Sequence, residues 1–173
     1  MQQIIIPNLS DSCVLELGTG TGMVGLICDH LGAGEIHVTD YHPRVLENVA
    51  YNVKLNQSRA KVSKLDFIQV AKGEAVEWYN QKFDIVIASD LLYEMEHAEH
   101  LPIAVEKLMK NDFYFMIPLR ETHWEEVEHF EAKMKSLGLF IRKVQDSERE
   151  EEEGLVQFRY YEFTRDSISN VLQ

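Results

Sequence analysis

Cysteines and long apolar runs are both scarce in this chain of 173 residues. Its two cysteines, Cys13 and Cys28, have apolar neighbours, so we expect reduced core residues rather than a disulfide or a redox pair. No apolar stretch reaches the roughly 20 residues of a membrane-spanning helix, and no charged-then-apolar leader opens the sequence. These absences favour a cytoplasmic protein that has no membrane partner, with the nucleus as a second location.

Basic residues are few as well. The chain has 17 lysines and arginines against 29 aspartates and glutamates, which gives a net charge of −12. Nucleic-acid binders hold phosphates with clustered lysine and arginine, and the sequence has no obvious stripe of them. We therefore expect no nucleic-acid partner, and a basic protein suits the acidic chain better.

A glycine-rich turn between a strand and a helix is the most informative part of the sequence. Residues 13–22 read Cys-Val-Leu-Glu-Leu-Gly-Thr-Gly-Thr-Gly, a short apolar strand that runs into three alternating glycines. Glycines let the backbone fold closely under a ligand, and a simple turn needs only one of them. A predicted helix follows and ends at Gly32 and Gly34, with an apolar face formed by Met23, Val24, Leu26, Ile27 and Leu31. This order is typical of a nucleotide-binding α/β unit.

Two kinds of cofactor compete for such a turn. Residues 20–25 match the dinucleotide pattern G-x-G-x-x-G, and Asp40 follows where a ribose-binding acid would belong. The register is wrong, however, because counting from Gly18, the first glycine after the strand, puts Met23 at the third glycine. The carboxylate of Glu16 at the strand end would also repel a pyrophosphate and attract an ammonium or sulfonium. We therefore predict a cofactor that is cationic at this end.

Two motifs resemble those of a known enzyme family. Residues 16–22 are similar to motif I of the seven-strand methyltransferases that bind S-adenosylmethionine. Residues 83–94 resemble the fourth-strand signature of the methyltransferase-16-type protein-lysine methyltransferases, whose mark is Asp-x-x-Tyr, here Asp90 to Tyr93. The resemblance covers nearly the whole chain. It implies S-adenosylmethionine as cofactor and methyl transfer to a lysine side chain of a protein substrate.

The predicted fold is a three-layer, Rossmann-like α/β domain with a seven-stranded, mostly parallel sheet and helices on both faces. Apolar patterning places the later strands at residues 35–40, 61–67, 83–88, 111–118, 139–144 and 156–163. By resemblance, the last strand lies antiparallel between the fifth and the sixth. We expect an acidic loop containing residues 148–153 between the last two strands, and a capping box at residues 122–125 that opens the preceding helix.

The length is that of one domain, so we predict a single domain over residues 1–173 with a short apolar lead at residues 1–10. Relatives in the family usually carry a longer segment at this point, which helps to cover the cofactor. The sequence does not indicate the oligomeric state.

The resemblance assigns cofactor contacts to the carboxyl ends of the strands. The residues are Glu16, Gly18, Thr19, Gly20, Gly22, Asp40, Tyr41, Asp66, Phe67, Ala88 and Asp90. In this assignment Asp40 accepts hydrogen bonds from the ribose hydroxyls, and Asp66 accepts one from the adenine amino group. Tyr41 and Phe67 lie beside the base. Asp40 can instead cap the helix that follows it, and Asp66 can be a turn aspartate beside a core phenylalanine; both alternatives stay open.

Asp90 and Tyr93 are the predicted catalytic residues. They follow a buried strand at its carboxyl end, where ligands bind in open α/β sheets. We expect them to hold and orient the acceptor amine, while most of the rate comes from alignment in a dry site. A cap at Asp90 and a packed aromatic at Tyr93 are the alternative. His97 and His100 share a helix face but match no zinc spacing, so no metal is predicted.

Three other functions remain open at this stage. Nucleic-acid adenine methyltransferases usually carry Asn/Asp-Pro-Pro-Tyr where this chain has Asp-Leu-Leu-Tyr, and the acidic charge also counts against them. Small-molecule methyltransferases have no portable acceptor motif by which to exclude them. A non-catalytic binding module could keep the fold without the reaction.

Overall fold

The computed structural model describes residues 9–78, 80–151 and 154–165. Most of the predicted lead at residues 1–10 therefore lies outside the described residues, as do Glu152 and Glu153 of the acidic segment. None of the helices within these ranges is long and apolar enough to cross a membrane.

Seven strands of the described chain form a single sheet in the order β3-β2-β1-β4-β5-β7-β6. They are β1 (Cys13–Leu17), β2 (Glu35–Asp40), β3 (Lys61–Lys64), β4 (Phe83–Ser89), β5 (Met109–Leu119), β6 (Phe140–Glu151) and β7 (Gly154–Thr164). The first five are parallel, and β7 runs antiparallel between β5 and β6. The predicted fold class and the antiparallel last strand are confirmed.

Five α-helices cover the two faces of the sheet in this part of the chain. They are α1 (Met23–His30), α2 (Pro43–Leu55), α3 (Phe67–Lys72), α4 (Met95–Leu108) and α5 (Trp124–Ser136). Buried residues of α1 and α2 share one apolar core with β1, β2 and β4. A larger core on the opposite face holds α3, α4 and α5, and its aromatic centre is formed by Phe113, Phe115, Phe130, Tyr161 and Phe163.

Strand β4 lies at the centre of this arrangement. Its side chains alternate between the two cores, with Ile85 and Ile87 on one side and Val86 and Ala88 on the other. Both faces are buried, which explains why the strand is almost continuously apolar. The carboxyl ends of β1 and β4 therefore meet at a fixed edge of the sheet.

The predicted apolar face of α1 is only partly correct. Met23, Ile27 and Leu31 are exposed, whereas the buried residues of the helix are Gly25 and Cys28. A Cβ at Gly25 would lie 2.4 Å from Val38 Cγ1, so the helix approaches β2 too closely for large side chains at the contact. Small residues form the closest contact with β2, while Met23, Ile27 and Leu31 face outward.

Two predicted starts or ends of elements differ from the structure. The third strand ends at Lys64 rather than residue 67, since Asp66 accepts a hydrogen bond from Ile68 N (2.9 Å) and begins α3. The capping box is absent as well. The helix α5 starts after a 3-10 turn, with His123 at the N-cap position, where no side-chain hydrogen bond caps the helix.

The last two strands are longer than predicted. The expected loop begins at residue 148, but residues 148–151 belong to β6 and pair with residues 154–157 of β7. Cross-strand partners stabilise this polar ladder: Arg159 makes two bonds of 2.7 and 2.8 Å to Asp146, and Gln157 donates to Glu148 at 2.9 Å. The acidic segment is therefore largely an extension of the sheet.

Candidate active site

A cavity of about 820 Å³ opens at the carboxyl ends of the parallel strands. It lies where the strand order reverses between β1 and β4, the usual ligand position in open α/β sheets. Its wall brings together nine of the predicted site residues around the turn after β1: Glu16, Gly18, Thr19, Gly20, Asp40, Tyr41, Asp66, Phe67 and Asp90. Tyr93 also lines it, whereas Gly22 and Ala88 do not. Gly22 instead forms the N-cap of α1, and Ala88 is buried in β4.

The glycine turn is held in a conformation that favours glycine. Gly18 and Gly20 have φ angles of +58° and +55°, in the left-handed region. A Cβ at Gly18 would also lie 2.3 Å from Leu91 Cδ2, so the turn packs directly on the loop after β4. The two loops that border the cavity are thereby held together.

The carboxylate of Glu16 organises this turn from within. Its Oε2 accepts hydrogen bonds from Thr19 Oγ1 (2.5 Å) and from Gly25 N (3.1 Å), which ties the strand end to the turn and to α1. Only 4% of the residue is exposed. Burial raises the pKa of Glu16 to about 7, although these hydrogen bonds oppose the shift. A cation in the cavity would favour the ionised form.

Asp40 ends β2 and is also buried against the cavity. Its Oδ1 accepts a hydrogen bond from His42 N at 2.9 Å. The N-cap of α2 is His42 rather than Asp40, since His42 Nδ1 accepts from Arg44 N at 3.2 Å. Asp40 therefore stabilises a turn and does not cap the helix, the alternative that the sequence allowed. Its neighbour Tyr41 is exposed on the cavity wall.

Asp66 combines a place on the cavity wall with the capping role. Its Oδ1 accepts hydrogen bonds from Ile68 N and, at 3.4 Å, from Gln69 N, so Asp66 is the N-cap of α3 rather than the turn residue that the sequence allowed. Phe67 follows on the same wall and makes an edge-to-face contact with His97, with ring centroids 5.6 Å apart.

Asp90 and Tyr93 face an arginine that the sequence analysis did not identify. Arg120 Nη1 lies 3.2 Å from Asp90 Oδ1, and Nη2 lies 3.4 Å from Oδ2. The same guanidinium lies over the Tyr93 ring, 5.8 Å from its centroid. Burial, followed by the charge of Asp90 and a hydrogen bond to it, raises the pKa of Tyr93, while Arg120 acts in the opposite direction. Tyr93 is therefore a neutral phenol beside a carboxylate.

The backbone at Asp90 is unusual. Its φ angle is +51°, in the left-handed region, and its N–H donates to Met116 O on β5 at 2.8 Å. This turn directs the chain across the end of β5, where Arg120 follows the last strand residue, Leu119. The position of Arg120 at a strand end next to β4 is the signal that could have identified it.

His97 positions two other wall residues. Its Nδ1 accepts a hydrogen bond from Tyr93 N at 3.4 Å, and its ring contacts both Tyr93 and Phe67 edge-to-face. The sequence indicated only a surface helix here, because nothing in the local pattern shows that the first turn of α4 reaches the cavity.

This fold and cavity define a class I methyltransferase-like domain, and solved structures agree. Magnesium protoporphyrin IX methyltransferase from Synechocystis has a TM-score of 0.72 at 15% identity, over 92% of this chain and 76% of that one. A putative RNA methyltransferase from Pyrococcus horikoshii has a TM-score of 0.70 at 16% identity, over 94% and 77%. At such identities the likeness concerns the fold alone.

Sequence comparison identifies the family within this class. Residues 2–136 match the lysine methyltransferase family, to which the chain belongs. The chain is 34% identical to protein-lysine N-methyltransferase rrg1 of Schizosaccharomyces pombe over 85% of its length, and 29% identical to protein-lysine N-methyltransferase EFM2 of Saccharomyces cerevisiae over 88%. It spans 52% and 39% of those two proteins. The family indicated by the two sequence motifs is confirmed.

Proposed function

We propose that this protein transfers a methyl group from S-adenosylmethionine to a lysine side chain of a protein substrate. Membership in the lysine methyltransferase family supports this reaction, and so do the protein-lysine methyltransferase relatives. The observation that carries the proposal is the arrangement of Asp90, Tyr93 and Arg120, in which a carboxylate and an aromatic face already hold a cationic side chain.

The cavity residues suit the cofactor of this family. The volume of about 820 Å³ lies in the range of ordinary ligand pockets, and Gly20 leaves backbone accessible on its wall. Asp40 offers a carboxylate for ribose hydroxyls, and the buried carboxylate of Glu16 lies where a positive group would be stabilised. When bound, S-adenosylmethionine supplies an electrophilic methyl group on a sulfonium.

Asp90 and Tyr93 would hold the acceptor amine. The Asp90 carboxylate accepts hydrogen bonds from an incoming ammonium or amine, and the Tyr93 oxygen and ring give it a second polar and cation-binding surface. In the structure the Arg120 guanidinium donates a hydrogen bond to Asp90 and lies over the Tyr93 ring. A substrate lysine would therefore replace the guanidinium, and the displaced positive charge nearby lowers the pKa of the amine.

The amine must lose a proton before it attacks. Asp90 and Tyr93 orient its remaining N–H groups, so that the nitrogen lone pair can point into the cavity. The raised pKa of Tyr93 keeps the phenol neutral, so the residue acts by orientation and does not bind the proton as a phenolate. The amine releases this proton to solvent next to Tyr93, which is half exposed.

A basic segment around the target lysine is the preferred substrate. The carboxyl end of β5 pairs with the beginning of β7, since Leu119 lies opposite Gln157. The acidic end of β6 consequently projects from the same edge of the sheet as the cavity. Acidic side chains there favour a partner of opposite charge.

We also propose that the reaction takes place in the cytoplasm.

Radiolabelled S-adenosylmethionine tests the proposal directly. Wild-type protein should label protein bands in a cell lysate, and acid hydrolysis should release labelled methyl-lysine. Asp90→Asn should lose this labelling, whereas Asp146→Asn, a surface carboxylate paired with Arg159, should keep it. Label in a small metabolite, or at a residue other than lysine, would refute the assignment.

A further inference from the structure

A second group of reactive side chains lies at the opposite edge of the sheet from the cavity. Cys13 begins β1, and Glu35 begins β2 directly opposite it in the parallel ladder. His37 follows two residues later, so its side chain lies on the same face as that of Glu35. The sheet register alone therefore gathers a thiol, a carboxylate and an imidazole. None of them contributes to the cavity wall.

Their ligand atoms are close enough to share one ion. A sulfur, an oxygen and a nitrogen of the three side chains all lie within 4.8 Å of one another. In a tetrahedral zinc site, bond lengths of about 2.0–2.3 Å put neighbouring ligand atoms about 3.5 Å apart. The three atoms could reach such positions by side-chain movements of about 1 Å, without a change in the strands.

The imidazole of His37 is held with one ring nitrogen toward Glu35. Its Nε2 lies 2.6 Å from Glu35 Oε1, while its Nδ1 is buried and meets no hydrogen-bond partner among the described residues. Edge-to-face contacts with Trp78 (6.5 Å) and Phe83 (5.1 Å) fix the ring. Since Nε2 faces Glu35 and Nδ1 is buried, Nε2 is the nitrogen that an ion shared with Glu35 would bind.

We propose that Cys13, Glu35 and His37 bind a zinc ion. A thiolate, an imidazole and a carboxylate form a donor set that suits Zn²⁺, and three protein ligands leave a fourth position for water. The side chain of Glu35 is 44% exposed while that of His37 is 13% exposed, so the ion can enter from the Glu35 side. The ion would replace the bond between His37 and Glu35 with two coordinate bonds, and the Cys13 thiol would release its proton.

Carboxylates around the group favour a bound cation, and the ammonium of Lys61 would compete with it for Glu35. Asp84 accepts a hydrogen bond from the backbone N–H of Cys13 at 2.9 Å, which places a second carboxylate next to this residue. Lys110 pairs with Asp84 at 3.1 Å, and Lys61 lies 2.5 Å from Glu35 Oε1. Zn²⁺ would have to displace Lys61, but both members of that pair are exposed, and exposed ion pairs are weak. Binding should therefore be tighter in a Lys61→Met variant.

Cobalt binding provides a test that is independent of methyl transfer. Tag-free protein stripped with a chelator is titrated with Co²⁺, whose spectrum reports both tetrahedral geometry and a thiolate ligand. We expect one saturable site with a sulfur-to-cobalt charge-transfer band, which Zn²⁺ abolishes by displacement. Zn²⁺ should also raise the melting temperature of the wild type, because it binds the folded state.

Matched variants identify the ligands. Cys13→Ser should remove the charge-transfer band and weaken binding at least tenfold, whereas Cys28→Ser, which changes the buried cysteine of α1, should leave both unchanged. His37→Gln should weaken binding similarly. A cobalt spectrum without the thiolate band, or one that survives Cys13→Ser, would overturn the proposal, as would the absence of saturable binding to the wild type.

Discussion

The pKa of Glu16 gives the sharpest prediction about the cavity. Burial raises this pKa from 4.5 to about 7, a shift that corresponds to about 3 kcal/mol. Because the folded protein binds the proton more tightly, Glu16 destabilises the fold when it is ionised. Stability due to this residue is therefore complete below pH 4.5 and is lost as the pH rises to about 7.

The variant Glu16→Gln isolates this effect. A glutamine oxygen can still accept hydrogen bonds from Thr19 Oγ1 and Gly25 N, so the turn should survive without a titrating group. Relative to this variant, the wild type should lose about 3 kcal/mol of unfolding free energy between pH 4.5 and 7. Urea denaturation at several pH values measures the difference, in which contributions of other carboxylates cancel.

Cofactor affinity should change with pH in the opposite direction. We expect the cationic end of S-adenosylmethionine to require ionised Glu16. The fraction of protein molecules with Glu16 ionised falls from about nine-tenths at pH 8 to about one-tenth at pH 6. Affinity should fall about tenfold over that range, and binding near pH 7 should release about half a proton per molecule bound.

Calorimetry in buffers of different ionisation enthalpy measures both quantities. S-adenosylhomocysteine, which lacks the sulfonium, shows whether the sulfonium or the amino group is the cation that Glu16 meets. The reasoning fails if Glu16→Gln and the wild type show the same pH dependence.

Four further predictions concern the other cavity residues and the acidic strands. Asp40→Ala should weaken cofactor binding by about 1–3 kcal/mol in calorimetry. Unchanged affinity would show that Asp40 only stabilises the turn after β2. Tyr93→Phe should keep the melting temperature and cofactor affinity but slow methyl transfer; full activity would remove the hydroxyl from the mechanism. Arg120→Met should lower the Michaelis constant for the lysine substrate about two- to fivefold, because an exposed competing ion pair contributes about 0.4–1 kcal/mol; an unchanged or higher constant would contradict displacement of the guanidinium. Glutamine at residues 150–153 should raise that constant at low salt and matter less at high salt, since steering acts over about 10 Å at 0.1 M; equal salt dependence would leave these residues as solvated surface.

Much of the fold could be predicted because local patterns and the family resemblance agreed. The apolar strand before Gly18 and the strand ending at Asp40 have the predicted bounds. The antiparallel last strand came from the resemblance, because hydrophobic periodicity carries no information about strand order. Periodicity failed for α1, where closeness to β2 selects Gly25 and Cys28 for the contact.

The site was less accessible to sequence reasoning wherever it depends on contacts between distant residues. Glu16 and Asp40 lie at the carboxyl ends of strands and Asp90 directly follows one, so their convergence on one edge could be deduced from the βα order. Arg120 also follows a strand, but nothing in its local sequence pairs it with Asp90, 30 positions away. The full length of β6 and β7 was missed for the same reason, because it depends on contacts between distant residues. Asp146 and Glu148 suit a strand only because Arg159 and Gln157 lie opposite them.

The left-handed backbone at Asp90 has a consequence for the balance between stability and activity. At this conformation glycine is relaxed, while any residue with a Cβ carries some strain, which aspartate tolerates better than most. Asp90→Gly would relieve that strain and keep the bond from the backbone N–H to Met116 O, yet it would leave the Arg120 guanidinium without its carboxylate. Asp90 thus keeps a negative charge at the end of β4, paired with Arg120, at the cost of some backbone strain.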